Sequence, residues 1–158
     1  LREAVGLFNA EAAPFVHFGS TSQDMIDSAM SLVTREAVAL IETDLAKAAE
    51  ALLQLAVQHA ATPMLARTLM QPASVTSFGF KCAGWAAPLV RSRLRLRKAA
   101  RHALQLQLGG AVGTLAQMGP QAGAVRARMA KELGLADPGA MIAGLRMAGT
   151  MAERRAKP

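Results

Sequence analysis

The sequence predicts an all-α fold of long antiparallel helices, and three observations lead to this prediction. Hydrophobic residues make up 52% of the 158 residues, while aromatic residues make up 4% and tyrosine does not occur. A β-sandwich or barrel would be richer in Val, Ile, Thr and Tyr, whereas Ala and Leu favour helices. Apolar residues also recur at steps of three and four through a long stretch without Gly or Pro. A chain of this length corresponds to about one domain.

The first elements are bounded by residues that interrupt the apolar pattern. Residues 1–11 are weakly helical and end at Pro14, and a polar turn follows over residues 17–24. From Ile26 a narrow apolar seam continues to about residue 58, which predicts one helix of about 33 residues, roughly 50 Å long. A helix of this length indicates a long bundle or a coiled coil with partner helices. The seam consists of residues 26, 30, 33, 37, 40, 45, 48, 52 and 55.

The rest of the chain predicts a second long helix and a short one. Residues 60–74 contain two prolines, and we expect them to form a loop between two antiparallel long helices. The second helical pattern extends from about Val75 to Leu106. The glycine-rich segment 109–113 interrupts it, and residues 121–134 form a short amphipathic helix. Asp137, Pro138 and Gly139 end that helix.

Charge is distributed unevenly along the chain. Residues 1–50 hold eight acids and three bases, residues 51–131 hold eleven bases and no acid, and residues 132–158 hold three acids and four bases. The densest part is the run Arg91–Lys98, followed by Arg101 and His102. Arginines at steps of two lie on more than one face of a helix, which favours a solvated exterior or ion pairs between subunits. A phosphate-binding surface is the alternative.

Composition and spacing exclude several kinds of site. The single cysteine, Cys82, excludes an internal disulfide or a multi-cysteine metal site, and its neighbours indicate a buried side chain. The three histidines are too scattered to indicate a metal site. The glycines at 109–113 lack the spacing and the preceding strand of a dinucleotide-binding motif. No signal core or membrane span is present, so we expect a cytoplasmic protein, and the missing start methionine suggests a segment of a longer one.

Two polar segments are candidates for binding an anion. Ser20–Asp24 precedes the first long helix and is either a helix N-cap cluster or a cradle of hydroxyl and N–H donors for a carboxylate. Arg67–Gln71 is either an ordinary polar loop or a clamp in which the arginine binds a carboxylate through two hydrogen bonds. Local chemistry leaves both alternatives open for each segment.

Taken in order, these segments resemble the fumarase/aspartase superfamily. Phe15–Asp27 is similar to its first characteristic region, with the pattern H-x-G-x-T-S-x-D, and Thr62–Gln71 is similar to its second, an R-T-x-x-Q loop. Within the superfamily, Phe78–Trp85 and Leu106–Ala116 are similar to the 3-carboxy-cis,cis-muconate cycloisomerase branch. The resemblance covers about residues 1–137.

The resemblance implies an enzyme that forms or breaks a bond β to a carboxylate through an enolate-like anion, without metal or organic cofactor. It implies a lactonising reaction of aromatic breakdown on a small tricarboxylate, in a homotetramer whose active sites draw on three subunits, without nucleic acid or membrane partners. By this match His17 is an acid/base candidate, and Asp24 orders the first loop. The substrate-binding candidates are Ser20, Thr21, Ser22, Gln23, Asp24, Arg67, Thr68, Gln71 and Lys81.

The sequence also departs from the superfamily's pattern. Leu69 and Pro72 stand where many members have a histidine, Val75 replaces a proline and Ser77 replaces a threonine. The glycine- and serine-rich third region is absent, and residues 140–158 no longer follow the family. We therefore expect an inactive fragment of a longer enzyme. Its expected parts are the end of an N-terminal domain with the first loop (1–22), part of a central bundle (23–137) and a divergent basic tail (138–158).

Two other functions remain open. One is a lyase of the same superfamily, such as an adenylosuccinate or fumarase-like lyase, against which the missing histidine counts. The other is a helical module that binds nucleic acid or a protein partner through the arginines of residues 91–102.

Overall fold

The computed structural model describes residues 1–139, which form mainly helices, as the sequence predicts. The α-helices are α1 (Arg2–Phe8), α2 (Ser22–Gln58), α3 (Phe78–Ala103) and α4 (Ala122–Leu133), and the strands are β1 (Pro63–Thr68) and β2 (Gln71–Ser77). Short 3-10 helices lie at Ala13–Phe15 and Ala116–Gln121. The predicted tail lies almost entirely outside the described residues. Among residues 1–139, no helix has the length and hydropathy needed to span a membrane.

The chain divides into two compact units, and α2 contributes residues to both. One unit, the glycine-loop unit, contains residues 1–34 and the described residues from Ala103 onward. The other, the hairpin unit, contains residues 35–102.

The prediction of a plain loop at residues 60–74 is wrong, because β1 and β2 form an antiparallel hairpin there. Leu69 and Met70 occupy its two-residue turn with φ values of 45° and 62°. Such turns require positive φ at both central residues and usually carry Gly, Asn or Asp, so the sequence offered no hairpin signal. The prolines are tolerated because each strand of a two-stranded ribbon is an edge strand.

In the hairpin unit, α3 packs antiparallel to residues 35–58 of α2, as the sequence predicts. Close to the hairpin, the N–H of Gly79 donates to the carbonyl of His59 at 2.9 Å. At the other end of the pair, Glu42 forms ion pairs with Arg97 and, at 3.4 Å, with Arg93. Cys82 is fully buried, which confirms the interpretation of its neighbours.

The predicted apolar seam of α2 is largely exposed among the residues that the structure describes. Four of its large members, Ile26, Met30, Val33 and Leu40, are between 56% and 70% exposed. The helix instead buries Asp24, Ser28 and Ala49. Periodicity shows which residues share a face of a helix, but it does not show what that face contacts.

The core of the glycine-loop unit lies around an extended segment that follows α3. The second helix ends at Ala103 rather than at Leu106, and Leu106 is buried with Leu108, Leu115, Ala130 and Leu135. The hydroxyl of Ser28 on α2 donates to the carbonyl of Gln107 at 2.8 Å and accepts from its N–H at 3.1 Å. These bonds fix the extended segment against the first turns of α2, and α4 agrees with the short helix predicted at 121–134.

An ion pair after α4 makes the stability of this unit depend on pH. Burial raises the pKa of Asp137, but the Gly139 N–H and the Arg126 guanidinium outweigh it and hold the pKa below the ordinary 3.8. A carboxyl with a lowered pKa stabilises the folded state above its unfolded pKa, and this contribution is lost as pH falls through the folded pKa. We expect Asp137→Asn to cost about 1 kcal/mol at neutral pH and to match the wild type in acid. Urea unfolding across a pH series measures this difference; a constant difference down to low pH would contradict it.

Candidate functional site

The first candidate segment is a tight loop that ends at the N-terminus of α2. His17 and Gly19 adopt positive φ values of 62° and 67°, and α2 begins at Ser22. His17 is exposed, and the structure gives it no hydrogen bond to any of residues 1–139. Thr21 is half-buried, while Ser22 and Gln23 are exposed, with the Gln23 amide donating to Asp27 at 2.7 Å. The loop therefore presents hydroxyl groups beside the N–H groups of a helix start.

Asp24 is the buried anchor of this loop. Its carboxylate is 1% exposed and accepts three backbone N–H bonds, from Thr21 at 3.0 Å, Gly109 at 3.0 Å and Gly110 at 2.9 Å. The bond to Thr21 reaches back across the helix start, as the acidic residue of a capping box does. Asp24 thus has a capping role, and the same carboxylate joins the loop to a segment 85 residues further along the chain.

Sequence reasoning missed the contribution of the glycine segment 109–113. Gly110 has φ 72°, and a Cβ built on it would lie 2.7 Å from the carbonyl oxygen of Gly19. The two loops can approach this closely because Gly110 carries no side chain. The cluster of glycines was the available signal, but nothing in the sequence indicated which distant residue they contact.

These two loops enclose a small pocket of about 110 Å³. Its lining consists of Gly19, Ser20, Gly109, Gly110, Ala111, Val112, Thr114, Leu115, Ala116 and Gln117. The hydroxyl of Ser20 is buried and forms no hydrogen bond within the described part of the chain. The lining is mostly apolar, and its polar side chains are those of Ser20, Thr114 and Gln117.

The second candidate segment lies in the hairpin unit. Arg67 and Thr68 end β1, Gln71 begins β2, and Thr68 pairs with Gln71 across the turn. Arg67 donates to the carbonyl of Met70 at 3.4 Å. The structure thus brings Arg67, Thr68 and Gln71 to the turn end of the hairpin, whereas residues 17–24 belong to the other unit.

Lys81 and Arg67 line one pocket of about 720 Å³ between the hairpin and α3, here called the hairpin pocket. The ammonium of Lys81 lies 5.1 Å from the centre of the Trp85 ring, within the range of a cation–π interaction. The lining consists of Met64, Leu65, Ala66, Arg67, Ser74, Val75, Thr76, Phe80, Lys81, Gly84 and Trp85. Its charged members are both cations, so the pocket is suited to an anion.

The candidate metal ligands are dispersed in the part of the chain that the structure describes. Among residues 1–139, no three His, Cys, Asp or Glu side chains are grouped so that they could hold a metal ion. The groups that the structure does assemble are hydroxyls, amides, backbone N–H groups and two cations. Such donors stabilise carboxylates and the anions that form from them.

Comparison with known proteins places these features in a family. Residues 1–150 match the family described as Lyase, so the match extends beyond the bound of about residue 137 that the sequence predicts for the resemblance. Over 138 residues the chain is 48% identical to a 3-carboxy-cis,cis-muconate cycloisomerase of Pseudomonas aeruginosa, covering 87% of this chain and 30% of that protein. Over 116 residues it is 49% identical to a nitrosuccinate lyase of Streptomyces davaonensis, covering 73% and 24%.

A solved structure shows the same relation. The chain superimposes on the 3-carboxy-cis,cis-muconate lactonizing enzyme of Pseudomonas putida with a TM-score of 0.81 and 40% identity, covering 87% of this chain and 31% of that one. The chain therefore spans about 30% of the length of the relatives it matches.

Proposed function

Because the chain belongs to the lyase family of the fumarase/aspartase superfamily, we propose that it supplies carboxylate-binding loops of an enzyme like 3-carboxy-cis,cis-muconate cycloisomerase. In that reaction a side-chain carboxylate of the muconate attacks an alkene carbon. A C–O bond forms as the C=C bond opens, and the electron pair moves into the neighbouring carboxylate. A proton then adds to the adjacent carbon and completes the lactone.

The observation that carries this proposal is the anchoring of the first loop by Asp24. The Asp24 carboxylate accepts three backbone N–H bonds and so holds the loop in place. The Thr21 and Ser22 hydroxyls at the helix start are then available to bind a substrate carboxylate. The helix N-terminus favours negative charge, and donors that are already fixed need no reorganisation when charge develops. We assign Ser20 and Gln23 to substrate binding in the same loop, and we assign His17 as the acid/base candidate of that loop.

The second loop, in the hairpin unit, would also bind a carboxylate. Arg67 offers a two-pronged donor, and Thr68 with Gln71 adds a hydroxyl and an amide at the turn of the hairpin. We further propose the division into a first loop (1–22), a bundle segment (23–137) and a tail. The ion pairs of Arg93 and Arg97 with Glu42 favour a structural role for the basic run over nucleic-acid binding.

Calorimetric binding tests the role of the first loop. We expect 3-carboxy-cis,cis-muconate to bind this chain, and Thr21→Val to weaken binding about tenfold, since it removes a hydroxyl donor to a charged group. Thr43→Val is the matched control, because the Thr43 hydroxyl donates to Ala39 on the exposed side of α2. Equal affinities for the wild type and Thr21→Val would remove Thr21 from the binding site.

A second candidate is a lyase that eliminates rather than lactonises, and the 49% identity to a nitrosuccinate lyase favours it. The same titration with fumarate and adenylosuccinate separates the two candidates. Preference for 3-carboxy-cis,cis-muconate supports the cycloisomerase, whereas preference for a succinate derivative supports the lyase. Loss of the muconate's ultraviolet absorbance measures turnover, which we expect to be low because this sequence contains no glycine- and serine-rich third region.

We propose that the exposed seam of α2 is a contact between subunits of a homo-oligomer. Ile26, Met30, Val33 and Leu40 present a row of large apolar side chains that a monomer rarely leaves in water. We expect Met30→Lys with Val33→Lys to shift sedimentation toward the monomer. Glu36→Lys, an exposed residue outside the seam, is the control, and an unchanged oligomer in the seam variant would contradict the contact.

A further inference from the structure

The hairpin pocket contains Trp85, to which the motifs give no role, and Lys81, for which they give no specific contact. Lys81 and Arg67 both line it, and no acidic side chain is among the lining residues. Among residues 1–139, neither cation forms an ion pair with a carboxylate. Two cations beside one cavity repel each other, and an anion between them relieves this repulsion.

Trp85 fixes the position of one of these charges. The Lys81 ammonium lies 5.1 Å from the Trp85 ring centre, and a cation held over an indole face is restrained without losing its charge. A lysine on its flexible stem otherwise loses side-chain entropy when it binds a ligand. The Trp85 ring therefore reduces the side-chain entropy that Lys81 loses when it binds an anion.

The rest of the lining is mostly apolar and open to solvent, and Ser74 and Thr76 add two hydroxyl groups. Phe80 is 75% exposed and Trp85 49% exposed, and Leu65 and Val75 lie on the hairpin side of the same pocket. Gly84 leaves further space, because a Cβ built there would meet no atom within 4 Å. A pocket with cations and broad apolar surfaces fits a ligand with several carboxylates on a flat hydrocarbon chain.

We propose that the hairpin pocket is a polycarboxylate site in which Lys81, held over Trp85, binds one carboxylate and Arg67 binds another. The apolar lining receives the unsaturated carbon chain between them. The ligand class rests on the proposed function, while Lys81 and Trp85 are assigned from the geometry of this pocket. Lys81 and Trp85 thereby set a preference for extended, planar polycarboxylates over compact ones.

The single tryptophan makes this site directly observable. Because Trp85 is the only Trp in a chain without Tyr, its fluorescence reports this pocket alone. Tricarballylate, a tricarboxylate that is transparent in the near ultraviolet, is the first probe, and 3-carboxy-cis,cis-muconate is the second. We expect a saturable change in Trp85 fluorescence with both probes, tighter binding of the muconate, and no change with acetate.

Separate variants test the charge of Lys81 and the free volume of the hairpin pocket beside Gly84. We expect Lys81→Gln to weaken binding about tenfold or more, Lys81→Arg to retain most of it, and Lys98→Gln, an exposed lysine of the same helix, to leave it unchanged. Gly84→Leu adds a good helix former that fills the pocket, so we expect it to keep the fold and lose the ligand.

Four results would overturn the proposal. The first is that neither probe changes the Trp85 fluorescence in a saturable way, and the second is that Lys81→Gln and Lys98→Gln weaken binding equally. The third is that Gly84→Leu binds the probes as the wild type does. The fourth is that inorganic phosphate displaces the probes as well as a polycarboxylate does. Failure of the proposed function is distinguishable, because the Thr21→Val titration tests the other unit. A Trp85 response that persists when Thr21→Val has no effect would keep this site and remove the first loop.

Discussion

Replacing Gly79 with alanine is expected to lower the free energy of unfolding by about 3 kcal/mol, because it forces a methyl group into backbone atoms. A Cβ at this position would lie 2.3 Å from the carbonyl oxygen of Ala56 and 2.8 Å from the Cα of Ala60. Both contacts are with the backbone, which cannot move aside as a side chain can. The higher helix propensity of alanine returns only about 1 kcal/mol. Urea unfolding followed by circular dichroism measures the change.

Gly84→Ala is the matched control for this prediction. Gly84 lies on the same helix five residues later, and its added Cβ meets no atom within 4 Å. Helix propensity alone then acts, and we expect stabilisation by about 0.5–1 kcal/mol. If both substitutions stabilise the chain to the same degree, the close approach of α3 to the end of α2 is wrong.

Replacing Asp24 with alanine is expected to cost about 3 kcal/mol or more, because three N–H groups lose a charged acceptor. Two of these groups, in Gly109 and Gly110, belong to the glycine segment, so the substitution detaches it from the first loop. We also expect binding of 3-carboxy-cis,cis-muconate to weaken beyond the effect of Thr21→Val. Urea unfolding gives the first quantity and calorimetry the second.

Asp27→Ala is the control for Asp24→Ala. Asp27 lies one turn further along α2 and accepts one exposed bond from the Gln23 amide at 2.7 Å. An exposed side-chain bond of this kind contributes about 1 kcal/mol or less. Equal losses in the two variants would show that the Asp24 carboxylate does not anchor the glycine segment.

Short sequence patterns predicted the candidate site residues, but they did not predict which distant residues those contact. Ser20–Asp24 and Arg67–Gln71 were identifiable because hydroxyls, amides and an arginine follow one another in short, recognisable patterns. The bond from Asp24 to Gly109 joins residues 85 positions apart, and no local pattern carries that information. The same applies to Lys81, whose neighbours in the hairpin pocket come from two strands and a helix.

The hairpin marks where local signals failed. Leu69 and Met70 adopt positive φ values, which their side chains do not favour. Pro63 and Pro72 are residues typical of loops, and only the pairing of the two strands shows that both lie in a hairpin. Pairing between the two strands stabilises this conformation against its local cost.

The sequence by itself determined the all-α class, the two long helices, the short α4, the buried Cys82 and the family, because periodicity, composition and motifs are local properties of the chain. Only the tertiary structure decided which face of α2 is buried, that Asp24 holds the glycine segment, and that Lys81 lies over Trp85. These features depend on contacts between residues that are far apart in the sequence. Many alternative contacts of this kind have similar energies, and only the complete fold selects one set of them. The burial of Asp24 and Ser28 instead of the apolar seam is the clearest case, because hydrogen bonds with distant backbone groups compensate the cost of burying them.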